Sequence, residues 1–324
     1  MYKRIFIPIL FVFVIILSSC TNYSKYTGCQ FSDDPDTIKI CTTLFPQYDF
    51  AKQVGGDLVE VSLLIKPGVE AHSYEPEPQD LISLNESDIF IYTNDLMEPW
   101  VANRLLGTIE NEKLIIVNAS KNITLKETKH HHHHGEQDEE HHLDPHVWTS
   151  IHNAIIMIDT IKETLSEHLP EHKETFENNA NTYKEELLAL DQQFKVFFDR
   201  LDDRTIIHGG HFALGYFALD YDLSIQTIFE SYSPDEDVTP QDIIALVELL
   251  KETGQKAIFQ EEFIDSQTAR VIKDEMKYQG HEIDILILHG LHNVTIQELE
   301  EGATYLSIMN QNLQNLKKGL TNHD

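Results

Sequence analysis

Basic residues are scarce in this chain: 24 Lys and Arg stand against 54 Asp and Glu, a formal charge of −30. Phosphate binding needs clustered cations, so the balance argues against a nucleic-acid partner. Cysteine is scarcer still, with three in 324 residues. No Cys-x-x-Cys occurs, which removes a thiolate zinc knuckle. No His-Glu-x-x-His occurs either, so the usual pair of zinc-bound imidazoles with a general base is missing, and the chain reads as a non-enzyme. There is no repeat at solenoid period. Long apolar runs are missing except near the start, where residues 5–17 are apolar but for Pro8. That run is shorter than the roughly 20 residues of a spanning helix.

Lys3 and Arg4 precede this apolar run, and Leu17-Ser18-Ser19-Cys20 follows it. A positive flank, a short apolar core and small residues mark a secretory signal. The ending resembles a bacterial lipobox, in which the cysteine carries the lipid. We therefore expect residues 1–19 to be a lipoprotein signal peptide and Cys20 to be the lipid anchor. The protein would then be extracytoplasmic, held by lipid in the periplasm or at the cell surface. Residues 20–36 are polar and turn-rich and read as a tether. Cys29 and Cys41 could pair in an oxidising compartment. Cys29 falls in the tether and Cys41 in the first strand, which argues against the pairing.

Short apolar strands then alternate with helices. Strand patterns cover 38–43, 59–65, 89–92 and 114–117, with helix signals at 48–54 and 79–84. Helical spacing of Ile151, Ala154, Ile155, Ile158, Ile161 and Leu165 predicts a helix over 150–169, ended by Pro170. Residues 171–201 hold no Gly or Pro and predict one long amphipathic helix. Beyond it, strands at 205–207, 257–259 and 283–288 alternate with helices at 212–219, 241–253, 266–278 and 302–320. The expected fold class is α/β: two β/α lobes with mainly parallel sheets, joined by one long backbone helix. The N-terminal lobe spans 37–170, the linking helix 171–201 and the C-terminal lobe 202–324.

The chemistry lies in 18 histidines. His130, His131, His132, His133, His134, His141 and His142 share an acidic stretch, 130–142, with nothing apolar to fold upon. Neutral imidazoles bind Zn, Cu and Ni well, so this loop is a candidate auxiliary, low-affinity metal collector. An engineered tag would produce the same run, but its internal position and acidic continuation speak against one. His72, His146, His211, and His289 with His292 each lie in a loop leaving a core element. Ligands of open α/β sheets bind at the carboxyl ends of strands, so loops from two lobes can converge on one cleft. Taken singly, each histidine is more often a hydrogen-bonded surface residue than a ligand.

Several segments resemble the bacterial zinc/manganese ABC-transporter substrate-binding lipoproteins, the ZnuA-like family. They are Thr43-Leu44-Phe45-Pro46, Lys66-Pro67-Gly68-Val69-Glu70-Ala71-His72-Ser73-Tyr74-Glu75-Pro76, Met97-Glu98-Pro99-Trp100, Asp144-Pro145-His146-Val147-Trp148, His211-Phe212-Ala213-Leu214-Gly215-Tyr216-Phe217 and Tyr305-Leu306-Ser307-Ile308-Met309. The resemblance implies a metal site between the lobes, with His72, His146 and His211 at three ligand positions. The fourth is His292 in one alignment and His289 in another, and the following Val294-Thr295 favours His292. His208 competes with His211. Glu75, Glu98 and Glu261 are candidate acceptors for imidazole N–H groups.

A nitrogen-rich, tetrahedral shell suits zinc; manganese, which prefers a share of carboxylate, ranks second. Ligation needs neutral imidazoles, so affinity should fall as pH drops through about 6.5. The resemblance implies capture of zinc outside the cytoplasm by a monomer, and delivery to the permease of an ABC uptake transporter. A surface adhesin or a metal-storage lipoprotein would use the same features.

Overall fold

The computed structural model describes residues 28–34, 37–69, 71, 74–127, 143–210, 212–227, 238–263 and 267–321. The expected signal segment 1–19, Cys20, the histidine-rich stretch 130–142, His72 and His211 lie outside the described residues.

β1 (Ile38–Thr42), β2 (Val59–Leu63), β3 (Ile89–Tyr92) and β4 (Ile115–Asn118) form a parallel sheet in the order β2-β1-β3-β4. β3 reads Ile-Phe-Ile-Tyr and is buried along its whole length, as befits a strand covered on both faces. α1 (Phe45–Gly55) starts three residues earlier than its apolar spacing predicts. Pro46 sits in its first turn, where a missing N–H leaves nothing unpaired. α2 (Pro78–Asn85) is held at its start by Asp80, whose Oδ2 accepts the Glu77 N–H at 2.6 Å.

α3 (Ile151–His168) and α4 (Lys173–Phe198) follow, with Pro170 between them. α4 has 26 residues, so it is about 39 Å long. Its buried stripe runs from Phe176 through Tyr183, Leu187 and Phe194 to Phe198. The second sheet contains β5 (Thr205–His208), β6 (Ser224–Thr227), β7 (Ala257–Gln260) and β8 (Asp284–Ile287), in the order β6-β5-β7-β8. It repeats the strand order of the first. Its helices are α5 (Gly215–Tyr221), α6 (Pro240–Thr253), α7 (Gln267–Tyr278), α8 (Ile296–Glu300) and α9 (Tyr305–Thr321). The expected two-lobed α/β architecture is therefore observed.

α4 joins the lobes through side chains as well as through the chain. Near its C-terminus, Phe194 meets Phe217 and Tyr221 of α5 at ring-centroid distances of 5.0 and 5.3 Å. Nearer its start, Tyr183 donates its hydroxyl to Asp49 Oδ2 at 2.6 Å. The same oxygen accepts the N–H of Tyr305, the first residue of α9, at 3.0 Å. Asp49 belongs to α1, so one buried carboxylate ties α1, α4 and α9 together. Burial raises its pKa, while the Tyr183 and Gln53 hydrogen bonds pull it back down.

Three sequence expectations need correction. Cys29 and Cys41 are disulfide-bonded, with Cα atoms 5.7 Å apart. Residues 28–34 lie against the edge strand β2: Gln30 N–H donates to Ser62 Oγ, and Ser32 N–H to Glu60. These contacts bring a polar stretch with no strand pattern alongside β1 and its cysteine. Second, β6 was not anticipated, because its four residues carry a single buried aliphatic, Ile225. Third, α5 begins at Gly215 rather than 212, and Ala213 N–H, ahead of it, donates to Glu261 Oε1 at 2.9 Å.

Candidate metal centre

Both sheets direct their carboxyl ends toward the junction between the lobes. In the order β2-β1-β3-β4 the chain reverses direction beside β1 and β3, where ligands of open sheets bind. Glu98 fastens that point. It is fully buried and accepts from Thr43 Oγ1 at 2.6 Å, Thr93 N at 3.1 Å and Asn94 N at 3.1 Å. Burial lifts its pKa to about 7 against the pull of these hydrogen bonds. Glu98 was a candidate imidazole acceptor; it instead holds the loops after β1 and β3 together.

The first lobe supplies His146. The chain reaches it after a neck formed by a bridge between Glu127 and Leu143 and by Asp144 N–H donating to Lys126 O at 3.0 Å. Tyr216, from the second lobe, closes this neck. Its hydroxyl accepts Lys126 N–H at 2.9 Å and donates to Asp144 O at 3.0 Å. The histidine-rich stretch thus springs from a base adjoining His146. His146 and Asp144 are both fully buried, with Nδ1 2.7 Å from Asp144 Oδ1. The same oxygen accepts the His146 N–H at 2.9 Å. An ionised Asp144 assigns the ring proton to Nδ1 and leaves Nε2 as the lone-pair nitrogen.

The second lobe supplies the loop after β8. Asn312 of α9 clamps His289 by its backbone, accepting its N–H at 2.8 Å and donating to its carbonyl at 3.0 Å. Leu291 then turns the chain with φ +66°, a left-handed conformation that costs a branched residue about 1–2 kcal/mol. Beyond this turn, the His292 ring lies 4.9 Å from the His146 ring, at an interplanar angle of 83°. Trp148 floors the pair, 5.4 Å from each ring, and donates its indole N–H to Gly290 O at 2.9 Å. Gly290 leaves room here: a Cβ would stand 3.0 Å from His292 Nδ1, and the ring would have to give by a few tenths of an ångström.

Glu262, just after β7, serves both histidines of this loop. Its Oε1 is 3.4 Å from His289 Nδ1 and 3.9 Å from His292 Nδ1, and its Oε2 accepts the Gly290 N–H at 2.6 Å. Burial would raise its pKa, but the positive field of His289, with His292 and the Gly290 N–H, outweighs burial and holds the carboxyl well below its ordinary range. Sequence reasoning named the neighbouring Glu261 and missed Glu262, and it gave Asp144 and Trp148 no role. The doublet Glu261-Glu262 directly after an apolar strand was the available signal.

The remaining candidates fall as follows. His208 ends β5, and its Nδ1 lies 2.9 Å from Gly210 O, so its ring braces the Gly209-Gly210 turn before residue 211. Glu75 is exposed and pairs with Arg104 at 3.2 Å. Glu261 holds Ala213, two residues beyond His211. The loop after β2 is sewn to the loop after β8: Asn293 Nδ2 donates to Lys66 O at 2.6 Å and Val69 O at 3.0 Å, and Gly68 N–H donates to Val294 O at 2.9 Å. Among the described residues, no three His, Cys, Asp or Glu side chains form a metal shell by themselves. The described part of the site is a fully buried imidazole from the first lobe and a half-buried one from the second, meeting edge to face.

Residues 40–319 match the family model described as ZnuA, zinc-uptake complex component A, periplasmic. The chain is 33% identical over 320 residues to the zinc-binding lipoprotein AdcA of Streptococcus pneumoniae serotype 4, covering 98% of this chain and 61% of AdcA. It thus spans about three fifths of the length of that relative. It is 33% identical over 312 residues to the high-affinity zinc uptake system protein ZnuA of Bacillus subtilis, covering 94% of each. The crystal structure of the Zn(II)-bound ZnuA-like domain of S. pneumoniae AdcA superposes with a TM-score of 0.71 at 32% identity, covering 88% of this chain and 99% of that one. A family match over most of the chain, on a fold of two like sheets with imidazoles meeting between them, places this protein in the ZnuA family.

Proposed function

We propose that this protein captures zinc outside the cytoplasm and delivers it to the permease of an ABC uptake transporter. The observation that carries the reading is the pair His146 and His292. They come from different lobes, lie 4.9 Å apart, and each is backed by a carboxylate. Zinc is cargo here, and the protein is a binding component rather than a catalyst.

His72 and His211 complete the proposed shell. His72 belongs to the loop after β2 that is sewn to the His292 loop. His211 follows the turn braced by His208. Four imidazoles suit tetrahedral zinc with Zn–N bonds of about 2.0–2.1 Å. Asp144 orients the His146 ring through Nδ1, which leaves its Nε2 for the metal, while Glu262 Oε1 faces His292 Nδ1 at 3.9 Å as a charge partner. His292 is preferred to His289 because its ring, and not that of His289, faces His146.

α4 spans both lobes, and Asp49 ties α1, α4 and α9, so closure on the metal is a small rotation rather than a wide hinge. Release then needs the permease to part the lobes. The histidine-rich stretch 130–142, based beside His146, raises local zinc supply. Cys20 carries the lipid, and residues 37–170, 171–201 and 202–324 are the two lobes and their linking helix.

The test is competitive zinc titration of the mature chain against a chelator, with metal counted by mass spectrometry. One tight zinc per chain is expected, lost in His72→Ala and in His211→Ala. Tight binding indifferent to both substitutions would overturn the interlobe reading.

A further inference from the structure

His289 is left over by the interlobe shell, yet it is built into the loop as firmly as His292. Its side chain is 8% exposed. Nδ1 faces inward, 3.4 Å from Glu262 Oε1, and accepts the Leu291 N–H at 2.9 Å. Nε2 is buried and makes no hydrogen bond. A cavity of about 370 Å³ adjoins it between β8, α8 and α9, lined by His289, Glu298, Ser307, Gln311 and Asn312, among others. Across it, Glu298 Oε1 stands 3.9 Å from Nε2, too far for a hydrogen bond. Glu298 cannot simply swing away, because its Oε2 accepts both Thr295 N–H and Thr295 Oγ1–H at 2.8 Å, capping α8.

A buried nitrogen without a hydrogen bond and a carboxylate oxygen held opposite it leave a gap that fits a cation. Two ligands of a tetrahedral zinc, each about 2.0–2.1 Å from the metal, are about 3.4 Å apart. Closing the gap from 3.9 Å takes a shift of about half an ångström. We propose that His289 Nε2 and Glu298 form a second divalent-metal site, for zinc or a similar borderline cation, at the outer face of the C-terminal lobe. Zinc replaces the proton on Nε2. The displaced proton moves to Nδ1, which gives up the Leu291 N–H and turns its own N–H toward Glu262 Oε1, 3.4 Å away. Two protein ligands leave the other positions to water, so this site is weaker and faster-exchanging than a four-imidazole shell.

Its position suggests the use. Glu298, His289, Glu262, His292 and His146 form one unbroken file from the outer cavity to the lobe junction, and Glu262 is shared by the two histidines of the loop. Among the described residues, Asp222, Phe263 and Leu291 are the non-glycine residues with positive φ, and the last two flank this file, directly after Glu262 and directly before His292. Backbone strain gathered at one place points to function there. The site is a staging post for metal on the second lobe. It rests on His292, not His289, completing the interlobe shell.

The experiment is zinc-edge anomalous diffraction from the full mature chain with excess zinc, for the wild type, Glu298→Gln and Thr295→Ala. Thr295→Ala weakens the helix cap but keeps the carboxylate. The expected result is an anomalous peak between His289 Nε2 and Glu298 in the wild type and in Thr295→Ala, lost in Glu298→Gln, with the inner peak kept in all three. No peak at the outer position would overturn the inference and leave a proton as the occupant of Nε2. A peak that survives Glu298→Gln would overturn it too. Zinc at the outer position with none between His146 and His292 would uphold it and overturn the interlobe reading instead.

Discussion

The two lobes repeat one sheet order, but they hold their imidazoles differently. His146 in the first lobe has a carboxylate of its own, at 2.7 Å, and both groups are fully buried. In the second lobe, His289 and His292 share one carboxylate at 3.4 and 3.9 Å, on a loop that turns through a left-handed leucine. The surroundings differ in the same sense. The first sheet lies wholly in the large core shared with α3 and α4, while one face of the second is covered by a smaller separate cluster including Ile207, Leu246, Ile258 and Ile272. On the proposed reading, the first lobe would offer a ligand set before metal arrives, and the second a ligand that adjusts when it does. Preorganisation on one side gives affinity, and slack on the other lets the metal leave.

Ligand loss tests this contrast most severely. A four-ligand zinc site is worth about 10–16 kcal/mol, so His146→Ala or His292→Ala should each weaken zinc binding by roughly a hundredfold or more. Equal affinity in either variant and the wild type would remove that residue from the shell.

Orienting carboxylates come next. Asp144→Asn should cost about 10–100-fold in zinc affinity, and Glu262→Gln a smaller factor within or below that range, because Glu262 stands farther from its rings. A larger loss in Glu262→Gln would reverse the assignment of the rigid and adjusting halves.

Gly290→Ala probes the slack directly. Its Cβ would meet His292 Nδ1 at 3.0 Å and Cε1 at 3.1 Å, so the ring must move by a few tenths of an ångström. A few-fold loss of affinity is expected, carried by faster zinc release in stopped-flow chelation. A loss carried by slower association instead would show the loop to be rigid.

The first lobe's own fastening is read by pH. Glu98 has a folded pKa raised from 4.5 to about 7. Its contribution to stability is therefore full below about pH 4.5 and lost as pH rises through about 7. Urea unfolding at pH 5 and pH 8 should show a decline that Glu98→Gln reduces; an unchanged slope would mean that Glu98 does not carry it.

The disulfide should matter least to zinc. Replacing Cys29 and Cys41 by serine opens a link between residues 12 apart and should cost about 3 kcal/mol of stability while leaving zinc affinity unchanged. A zinc defect in that variant would tie the edge of the first sheet to the site.

What could be read from the sequence divides along physical lines. Alternation of short apolar runs with helical spacing carried the two-lobed fold, because parallel sheets bury both faces and so leave continuous apolar strands such as β3. Local pattern failed where long-range contacts decide. Gln30 and Ser32 reach β2 through polar groups, and Cys29 joins Cys41, with nothing in the polar segment to announce it. The choice between His289 and His292 turns on the backbone at Leu291, and a left-handed leucine has no signature in composition or period. Glu98 and Glu262 are both buried carboxylates beside the junction, and only their neighbours separate a loop clamp from an imidazole partner.

Zinc-edge X-ray absorption of the mature chain loaded with less than one equivalent of zinc, compared with His146→Ala and His292→Ala, tests the central claim most directly. The account predicts a shell of four imidazole nitrogens at about 2.0–2.1 Å in the wild type, and one fewer in each variant. A shell containing sulfur or dominated by oxygen, or one that both substitutions leave unchanged, would contradict it.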